Sequence, residues 1–187
     1  MYLKKTKLGI KISLIVAFLL CVLFPVNSYA YTIYKGKWFD GNNLEAWLDS
    51  SVSQAGFDSH SKHGSLAWNN SSHIQVSMVS KSSDADIKWF ASFTDLGEMY
   101  AGCLNYSGGT PDWTGLYSDS RIRWNQPRAK NLDANRLKET ATHEVGHSLG
   151  LDHSKVTDAI MKPKGWIYGT YPIKDDWDGI NYIYTNL

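Results

Sequence analysis

Three histidines and one glutamate stand at a spacing that suits chemistry on a divalent metal ion. The segment from His143 to His153 reads HEVGHSLGLDH, so His143 and His147 lie four residues apart and Glu144 follows the first of them. In a helix, side chains four residues apart share one face, with Cβ atoms about 5–6 Å apart. Two imidazoles so placed can both reach one Zn²⁺ at about 2.0–2.1 Å. The spacing therefore predicts a helix that supplies two zinc ligands.

A third ligand has to come from beyond this helix, because the next helical turn leads away from the metal. Gly150 can take the left-handed conformation that ends a helix, and the chain can then turn back and bring His153 to the ion. Three protein ligands leave one coordination position for water, whose pKa zinc lowers to about 7. We expect Glu144 to take the proton of that water as it attacks a peptide carbonyl, and to pass it to the leaving amine.

The alternative interpretation is that these are ordinary histidines of a packed helix. At about 100° per residue, His143 and His147 fall roughly opposite the apolar side of the helix. That apolar side is formed by Leu137, Ala141, Val145 and Leu149. The five fixed residues of the motif would coincide by chance in such a chain on the order of once in 100,000. Both observations favour a metal site that faces a cleft.

The first thirty residues have the three parts of a secretory signal peptide. Four lysines come first, an apolar run follows over 12–26, and Ser28-Tyr29-Ala30 provides a small-x-small cleavage site. The run is shorter than the roughly 18–20 residues that span a bilayer, so we expect cleavage after Ala30 and no membrane attachment. The lysine-rich leader favours a bacterial source. Residues 31–187 are then the secreted, extracellular protein.

The composition of residues 31–187 fits one domain with an apolar core. Loss of the four leader lysines leaves 15 basic against 18 acidic residues, without a cluster of Lys or Arg. This balance argues against nucleic acid as a partner. Cys103 is the one cysteine that remains after cleavage, so no internal disulfide is expected. We expect Cys103 to be a buried, unreactive thiol, and the protein to be a monomer.

The periodicity of apolar residues predicts an α+β fold, arranged as an α/β sandwich of mixed strands and helices. The expected elements are a helix over 42–57, strands over 74–78 and 87–93, a strand over 120–125, a helix from 133 or 135 to 149, and a last short helix that begins at Asp175-Asp176. Residues 103–119 are rich in Gly, Asn, Ser and Asp and are expected to form a long surface loop.

The zinc motif and the residues around it resemble the metzincin metallopeptidases, and within them the matrixins. Ser154 follows the third histidine as in matrixins, and AIMKP at 159–163 resembles the Met-turn of the family. ADI at 85–87 is similar to part of a matrixin sheet strand, and DDWDGI at 175–180 is similar to the start of the last matrixin helix. The resemblance covers most of residues 31–187.

The resemblance implies a five-stranded twisted mixed sheet, three helices and a zinc cleft. It also implies hydrolysis of internal peptide bonds in extracellular polypeptides, with one catalytic zinc on the three histidines and Glu144 as the catalytic residue. Met161 would form an apolar floor beneath the metal. Related metzincins carry an extra Tyr ligand where this chain has Pro163, so no such ligand is expected here.

Two departures from the matrixin pattern concern regulation and metal content. No cysteine-bearing propeptide fits between Ala30 and the first strand, so the enzyme is expected to be active as soon as it folds with metal. The segment 103–119 contains no histidine for a second, structural zinc. His60, His63 and His73 lie in a polar, serine-rich stretch and are expected to be solvated loop residues.

Two further features leave alternatives open. Asp112 and Asp119 would allow a calcium site, although scattered loop acids are usually just solvated. Matrixins place a Tyr four residues after the Met to wall a substrate pocket, whereas this chain has Gly165, with Trp166 and Tyr168 close behind. The pocket is therefore either shaped by Trp166 or more open.

Two other functions stay open at this point. A peptidoglycan stem-peptide amidase or endopeptidase would use the same chemistry, although nothing in the sequence suggests a wall-binding module. A secreted binding protein could keep the zinc fold without the reaction, but that role would not require the carboxylate of Glu144. The sequence leaves the natural substrate open, and it does not identify an inhibitor protein as a partner.

Overall fold

The computed structural model describes residues 30–187, and the predicted leader lies almost entirely outside this range. The strands are β1 (Thr32–Ile33), β2 (Leu44–Leu48), β3 (Val76–Met78), β4 (Ile87–Ser92), β5 (Ala101–Ser107), β6 (Thr110–Pro111), β7 (Asp119–Asn125) and β8 (Leu151–Asp152). The helices are α1 (Ser50–Gln54), α2 (Asp58–Leu66), α3 (Gln126–Ala129), α4 (Ala134–Ser148) and α5 (Lys174–Asn186), and a 3₁₀ turn occupies Gly41–Asn43.

The main sheet is mixed and has the strand order β3-β2-β4-β7-β5-β6. Strands β3, β2, β4 and β7 are parallel to one another, whereas β5 runs antiparallel to both β7 and β6. A separate antiparallel pair joins β1 to β8. The predicted α+β class with a mixed sheet is confirmed. The two-residue strand β6 adds a sixth member to the five that the resemblance implied.

The centre of the sheet is covered by helix α2 through two tryptophans. Trp89 on β4 and Trp124 on β7 are fully buried, and their rings stack with centroids 5.7 Å apart. Each indole N–H donates to a serine hydroxyl of α2, at 3.0 Å to Ser65 and 2.8 Å to Ser61. Because a buried indole N–H needs an acceptor, these bonds fix the position of α2 on the sheet.

Helix α2 also packs closely against α4, the helix that carries the zinc motif. A Cβ built on Gly64 would lie 2.5 Å from the Ala141 carbonyl carbon, so the glycine allows the two helices to approach. Beyond the end of α2, the indole of Trp68 donates to the Thr142 carbonyl at 3.1 Å. The sheet therefore positions α4 through α2.

The helix predicted over 42–57 is wrong in its first half. Leu44–Leu48 forms strand β2, and helix α1 begins at Ser50, where the Asp49 carboxylate accepts the Ser51 N–H at 2.9 Å. Buried Leu44 and Ala46 alternate with more exposed neighbours on β2. Since β2 lies between β3 and β4, pairing with strands distant in sequence decides its conformation. The helical spacing of its apolar residues was a weaker local signal.

The long loop predicted over 103–119 is also wrong in its first part. Strand β5 continues to Ser107, and Gly108 and Gly109, with φ of 56° and 85°, turn the chain into β6. Positive φ at both central residues is what a tight hairpin requires. Irregular backbone in this segment is thereby confined to the residues between β6 and β7. The predicted strands around 76–78, 87–92 and 120–125 are confirmed, as is the helix that ends before Gly150.

His60 and His63 were expected in a solvated loop, and the structure places both in helix α2. The ring of His63 makes a 2.9 Å hydrogen bond through Nε2 to the Thr170 carbonyl. The buried residues of α2 are small, namely Ser61, Gly64 and Ser65, so the helix has no apolar stripe in sequence. A pattern search for helices relies on that stripe, which explains the error.

We expect Gly64→Ala to destabilise the protein, because the added methyl would press on the backbone of α4. Overpacking of this kind costs about 1–3 kcal/mol, which corresponds to a fall in Tm of roughly 2–4 °C for each kcal/mol. Thermal unfolding of residues 31–187 measures it. Ser59→Ala, at an exposed position of the same helix, is the control. An unchanged Tm for Gly64→Ala would show that the two helices can separate without cost.

Candidate metal centre

Helix α4 begins and ends with residues suited to those positions. The Asp133 carboxylate accepts the Arg136 N–H at 2.9 Å as the N-cap. At the other end Gly150 has φ of +101°, and a Cβ there would overlap the Gly36 carbonyl oxygen. Glycine is thus required both by conformation and by space. The turn at Gly150 leads directly into β8, which precedes His153.

The structure brings the three predicted histidines together. Each of His143, His147 and His153 offers one ring nitrogen such that all three nitrogens lie within 4.8 Å of one another. Their ring centroids are 4.7 to 5.3 Å apart. Among residues 30–187 this is the one group of three or more His, Cys, Asp or Glu side chains that could hold a metal ion.

Backbone carbonyls set the orientation of the two helical rings. Nδ1 of His143 bonds to the Ile160 carbonyl and Nδ1 of His147 to the Leu151 carbonyl, both at 2.8 Å. A carbonyl accepts only, so Nδ1 carries the proton and Nε2 of the neutral ring keeps its lone pair for a metal. Burial lowers the pKa of His143 to about 4 and that of His147 well below its usual value. This donor set fits zinc.

Glu144 lies beside the histidines in the wall of the same cleft and is 7% exposed. Burial raises the pKa of its carboxyl to about 8, and the nearby backbone N–H of Cys103 on strand β5 acts in the opposite direction. A cation held by the histidines would lower that pKa again, because opposite charge favours the ionised form. Glu144 therefore shares the wall of the cleft with the three histidines that could hold a metal ion.

Met161 is buried beneath the helix at the metal site, with 1% of its surface exposed. A Cβ on Gly146 would overlap the Met161 sulfur and would lie 2.9 Å from the ring of Trp68. The glycine inside the zinc motif therefore has a packing reason, since a larger side chain would displace Met161. Met161, which the sequence predicted as an apolar floor, therefore packs directly against helix α4 at Gly146.

Asp176 connects the Met-turn to the last helix, and sequence reasoning assigned it only a place at the start of that helix. Its buried carboxylate accepts three backbone N–H groups, from Ile160 at 3.0 Å, Met161 at 3.1 Å and Ile173 at 2.8 Å. The Ile160 carbonyl in turn holds the ring of His143. Asp176 thereby positions, through the Ile160 backbone, the ring of a candidate metal ligand that it does not touch.

The predicted calcium acids and lone thiol have other partners in the fold. Asp119 pairs with Lys88 at 2.9 Å and with Arg121 at 2.7 Å, and Asp112 accepts the Thr114 N–H at 2.8 Å. These contacts give a calcium site no support. The Cys103 thiol is free and lies 3.5 Å from the Ser120 hydroxyl, and burial raises its pKa.

The cleft around the histidines has a volume of about 870 Å³, and two aromatic pairs line it. Tyr34 and Trp113 have ring centroids 4.5 Å apart, and Tyr100 and Trp166 have centroids 5.6 Å apart. The sequence allowed either a pocket shaped by Trp166 or a more open one, and in the structure Trp166 lines the cleft. The sequence did not reveal that Tyr34, Tyr100 and Trp113, which come from loops, line the cleft. It also did not reveal Glu139, although this residue lies one helical turn before His143 and its spacing could have identified it.

Loss of the Asp176 charge should weaken both the fold and the metal site. We expect Asp176→Asn to lower stability by about 2–4 kcal/mol, because a neutral amide cannot accept all three N–H groups and leaves buried donors unpaired. Zinc affinity, measured by competition with a chromogenic chelator, should fall with it. Asp178→Asn removes an exposed i,i+4 pair with Lys174 and should change stability by less than about 0.5 kcal/mol. Equal effects of the two variants would contradict this role.

Comparison with known proteins gives one family. The matrixin family model matches residues 48–185. Metalloendoproteinase 5-MMP of Arabidopsis thaliana is 48% identical over 50 residues, which are 26% of this chain and 14% of that protein. Interstitial collagenase of Sus scrofa is 38% identical over 71 residues, 37% of this chain and 15% of that protein. Matrix metalloproteinase-C of Caenorhabditis elegans is 40% identical over 76 residues, which are 41% of this chain and 10% of that protein.

These alignments span about a seventh or less of each relative, whereas the family match covers most of this chain. The relatives come from a plant and from animals, so the predicted bacterial source gains no support from them. The recognition made from the zinc motif and the Met-turn is confirmed: the chain belongs to the matrixin family.

Proposed function

We propose that this protein is a zinc-dependent endopeptidase that hydrolyses internal peptide bonds of extracellular polypeptides. The observation that carries the proposal is the convergence of three imidazoles beside a buried glutamate in one cleft. His143, His147 and His153 would hold a single zinc, and three protein ligands are typical of catalytic rather than structural zinc. Membership of a zinc-dependent peptidase family agrees with this assignment.

Glu144 is the proposed general base. When bound, zinc would polarise the substrate carbonyl and lower the pKa of water. The Glu144 carboxylate would take a proton from the attacking water and return it to the leaving amine. The carboxylate lies in the wall of the cleft beside the histidines, where it could reach that water. Met161 would act by packing beneath the site and not by touching substrate.

Strand β5 offers the edge on which an extended peptide could lie. The carbonyls of Tyr100 and Tyr106 point towards β7 and the residue before it, where they accept the N–H groups of Asn125 and Ser118. Because strand groups alternate between the two edges, the backbone groups of Ala101 and Cys103 face the opposite edge, and both residues line the cleft. A substrate backbone can pair there as an added strand, which supports polypeptide substrates over small molecules.

We also propose that residues 1–30 are a cleaved leader and that residues 31–187 act outside the cell as a monomer. The order of lysines, apolar run and small-x-small site supports this, as does the generally extracellular location of matrixins. Within residues 30–187 no helix is long and apolar enough to cross a membrane.

Glu144→Ala should separate metal binding from catalysis. We expect this variant to keep one zinc per chain, because the three histidines remain, and to lose kcat/KM on a quenched peptide library by about 10²–10⁴-fold, the usual contribution of a general base. Zinc content is measured by elemental analysis. Glu45→Ala, on strand β2 outside the cleft, is the control and should keep wild-type activity. A chelator should stop the wild type reversibly.

Four results would contradict the proposal. An active Glu144→Ala variant would exclude Glu144 as the base, and a variant without zinc would make it a structural residue. A wild type that cuts muropeptides and ignores polypeptides would favour the peptidoglycan alternative. A folded wild type that binds zinc and cuts neither would favour a binding protein.

A further inference from the structure

The short strand β1 lies directly on the segment that leads to the third candidate zinc ligand. It pairs antiparallel with β8, with Thr32 opposite Asp152 and Ile33 opposite Leu151. His153 follows β8 immediately. Because this pair is separate from the main sheet, β1 is the strand that supports the chain just before His153.

The side chain of Thr32 also contacts His153 itself. Its hydroxyl donates to the His153 carbonyl, with an oxygen–oxygen distance of 2.7 Å, although the two residues are 121 positions apart. The N–H of His153 donates to the Asp152 carboxylate, also at 2.7 Å. Both backbone polar groups of His153 are therefore bonded. These bonds fix the backbone orientation, which decides the direction in which the imidazole leaves the chain.

His153 depends on such bonds more than the other two histidines do. His143 and His147 belong to helix α4, and backbone carbonyls bond to their rings at 2.8 Å. His153 lies outside the helices and strands, and its side chain is 44% exposed. Packing therefore contributes little to the position of its ring, and hydrogen bonds to its backbone have to define that position.

The residue after β1 reaches the second candidate ligand. The Tyr34 N–H donates to the Gly150 carbonyl at 2.9 Å, and the Tyr34 ring lies 5.8 Å from the His147 ring, measured between centroids. The Leu151 carbonyl, which bonds to the His147 ring, belongs to β8. The backbone from Gly150 to His153 is thus bordered by one continuous stretch of chain.

This stretch is itself held in place by the segment between β6 and β7. The Tyr34 ring packs on Trp113, with centroids 4.5 Å apart. Lys37 donates its N–H to the Gly115 carbonyl at 3.2 Å and accepts the Tyr117 N–H at 2.9 Å. Strand β1 therefore has a fixed position from which Thr32 can hold the His153 carbonyl.

We propose that Thr32 is a positioning residue for the third zinc ligand, because its hydroxyl fixes the His153 backbone in the orientation that brings the imidazole to the other two. The inference rests on the zinc endopeptidase function proposed above. Thr32 is exposed and does not line the cleft, so it acts through His153 and touches neither cation nor substrate. Without the hydroxyl, water would take its place on the carbonyl, and the imidazole could turn away.

Thr32→Val tests this role, because valine keeps the β-branched shape of threonine and lacks the hydroxyl. The affinity of residues 31–187 for zinc alone is measured by competition with a chromogenic chelator. We expect the affinity to fall about 10-fold, at the lower end of the usual effect of groups that orient a metal ligand. Thr32→Ser restores a hydroxyl at the same place and should keep the wild-type affinity.

Thr110→Val is the matched control for the loss of a hydroxyl. Thr110 lies on β6, is exposed like Thr32, and donates its hydroxyl to the Ser107 carbonyl at 3.1 Å. It does not line the cleft. The two valine variants should change the Tm of the metal-free protein alike, and only Thr32→Val should weaken zinc binding. At saturating zinc, Thr32→Val should recover the wild-type kcat/KM, since the three histidines and Glu144 are intact.

Each outcome decides the inference. Wild-type zinc affinity in Thr32→Val, or an equal loss in Thr110→Val, would overturn it and leave the endopeptidase function intact. An equal loss in Thr32→Ser would overturn it too, because the hydroxyl would then not be the group that matters. If Thr32→Val does not fold, Thr32→Ala removes the same hydroxyl and must give the same loss. A folded wild type that binds no zinc would contradict the proposed function itself.

Discussion

The candidate metal site depends on two backbone carbonyls that hold two imidazole rings neutral and in a fixed orientation. The Ile160 and Leu151 carbonyls accept from Nδ1 of His143 and His147, which leaves the opposite nitrogens for a cation. Burial favours the same neutral form. A change in the fold that moves either carbonyl would turn its histidine ring away from the position of a bound cation. The chain that follows helix α4 is therefore as important for the geometry of the three histidines as the helix itself.

That position is determined by a buried carboxylate far along the chain. Asp176 accepts the N–H groups of both Ile160 and Met161 and also that of Ile173 at the start of the last helix. Met161 packs on Gly146 of the zinc helix. Hydrogen bonding to an ionised acceptor is stronger than between neutral groups, and here it joins the last helix, the Met-turn and the zinc helix in one network.

The same helix also positions the walls of the cleft. The Glu144 carboxylate lies near the Cys103 N–H on strand β5. The Glu139 carboxylate accepts the Ile167 N–H next to Trp166. Glu139 and Glu144, five residues apart on α4, therefore connect this one helix to both walls of the cleft. Helix α4 is itself placed by α2, whose two serines bind the indoles of the central strands.

The sequence alone determined the helix of the zinc motif, its end at Gly150, the grouping of three histidines with Glu144, and the family. These follow from spacing within one continuous segment, where helix geometry converts residue number into distance. It failed at Leu44–Leu48 and at β5, because strand pairing joins segments distant in sequence and overrides local pattern. The contact of Tyr100 with Trp166 was decided only by the tertiary structure. The two residues lie 66 positions apart and come together because the sheet and α4 bring their loops to one end of the cleft.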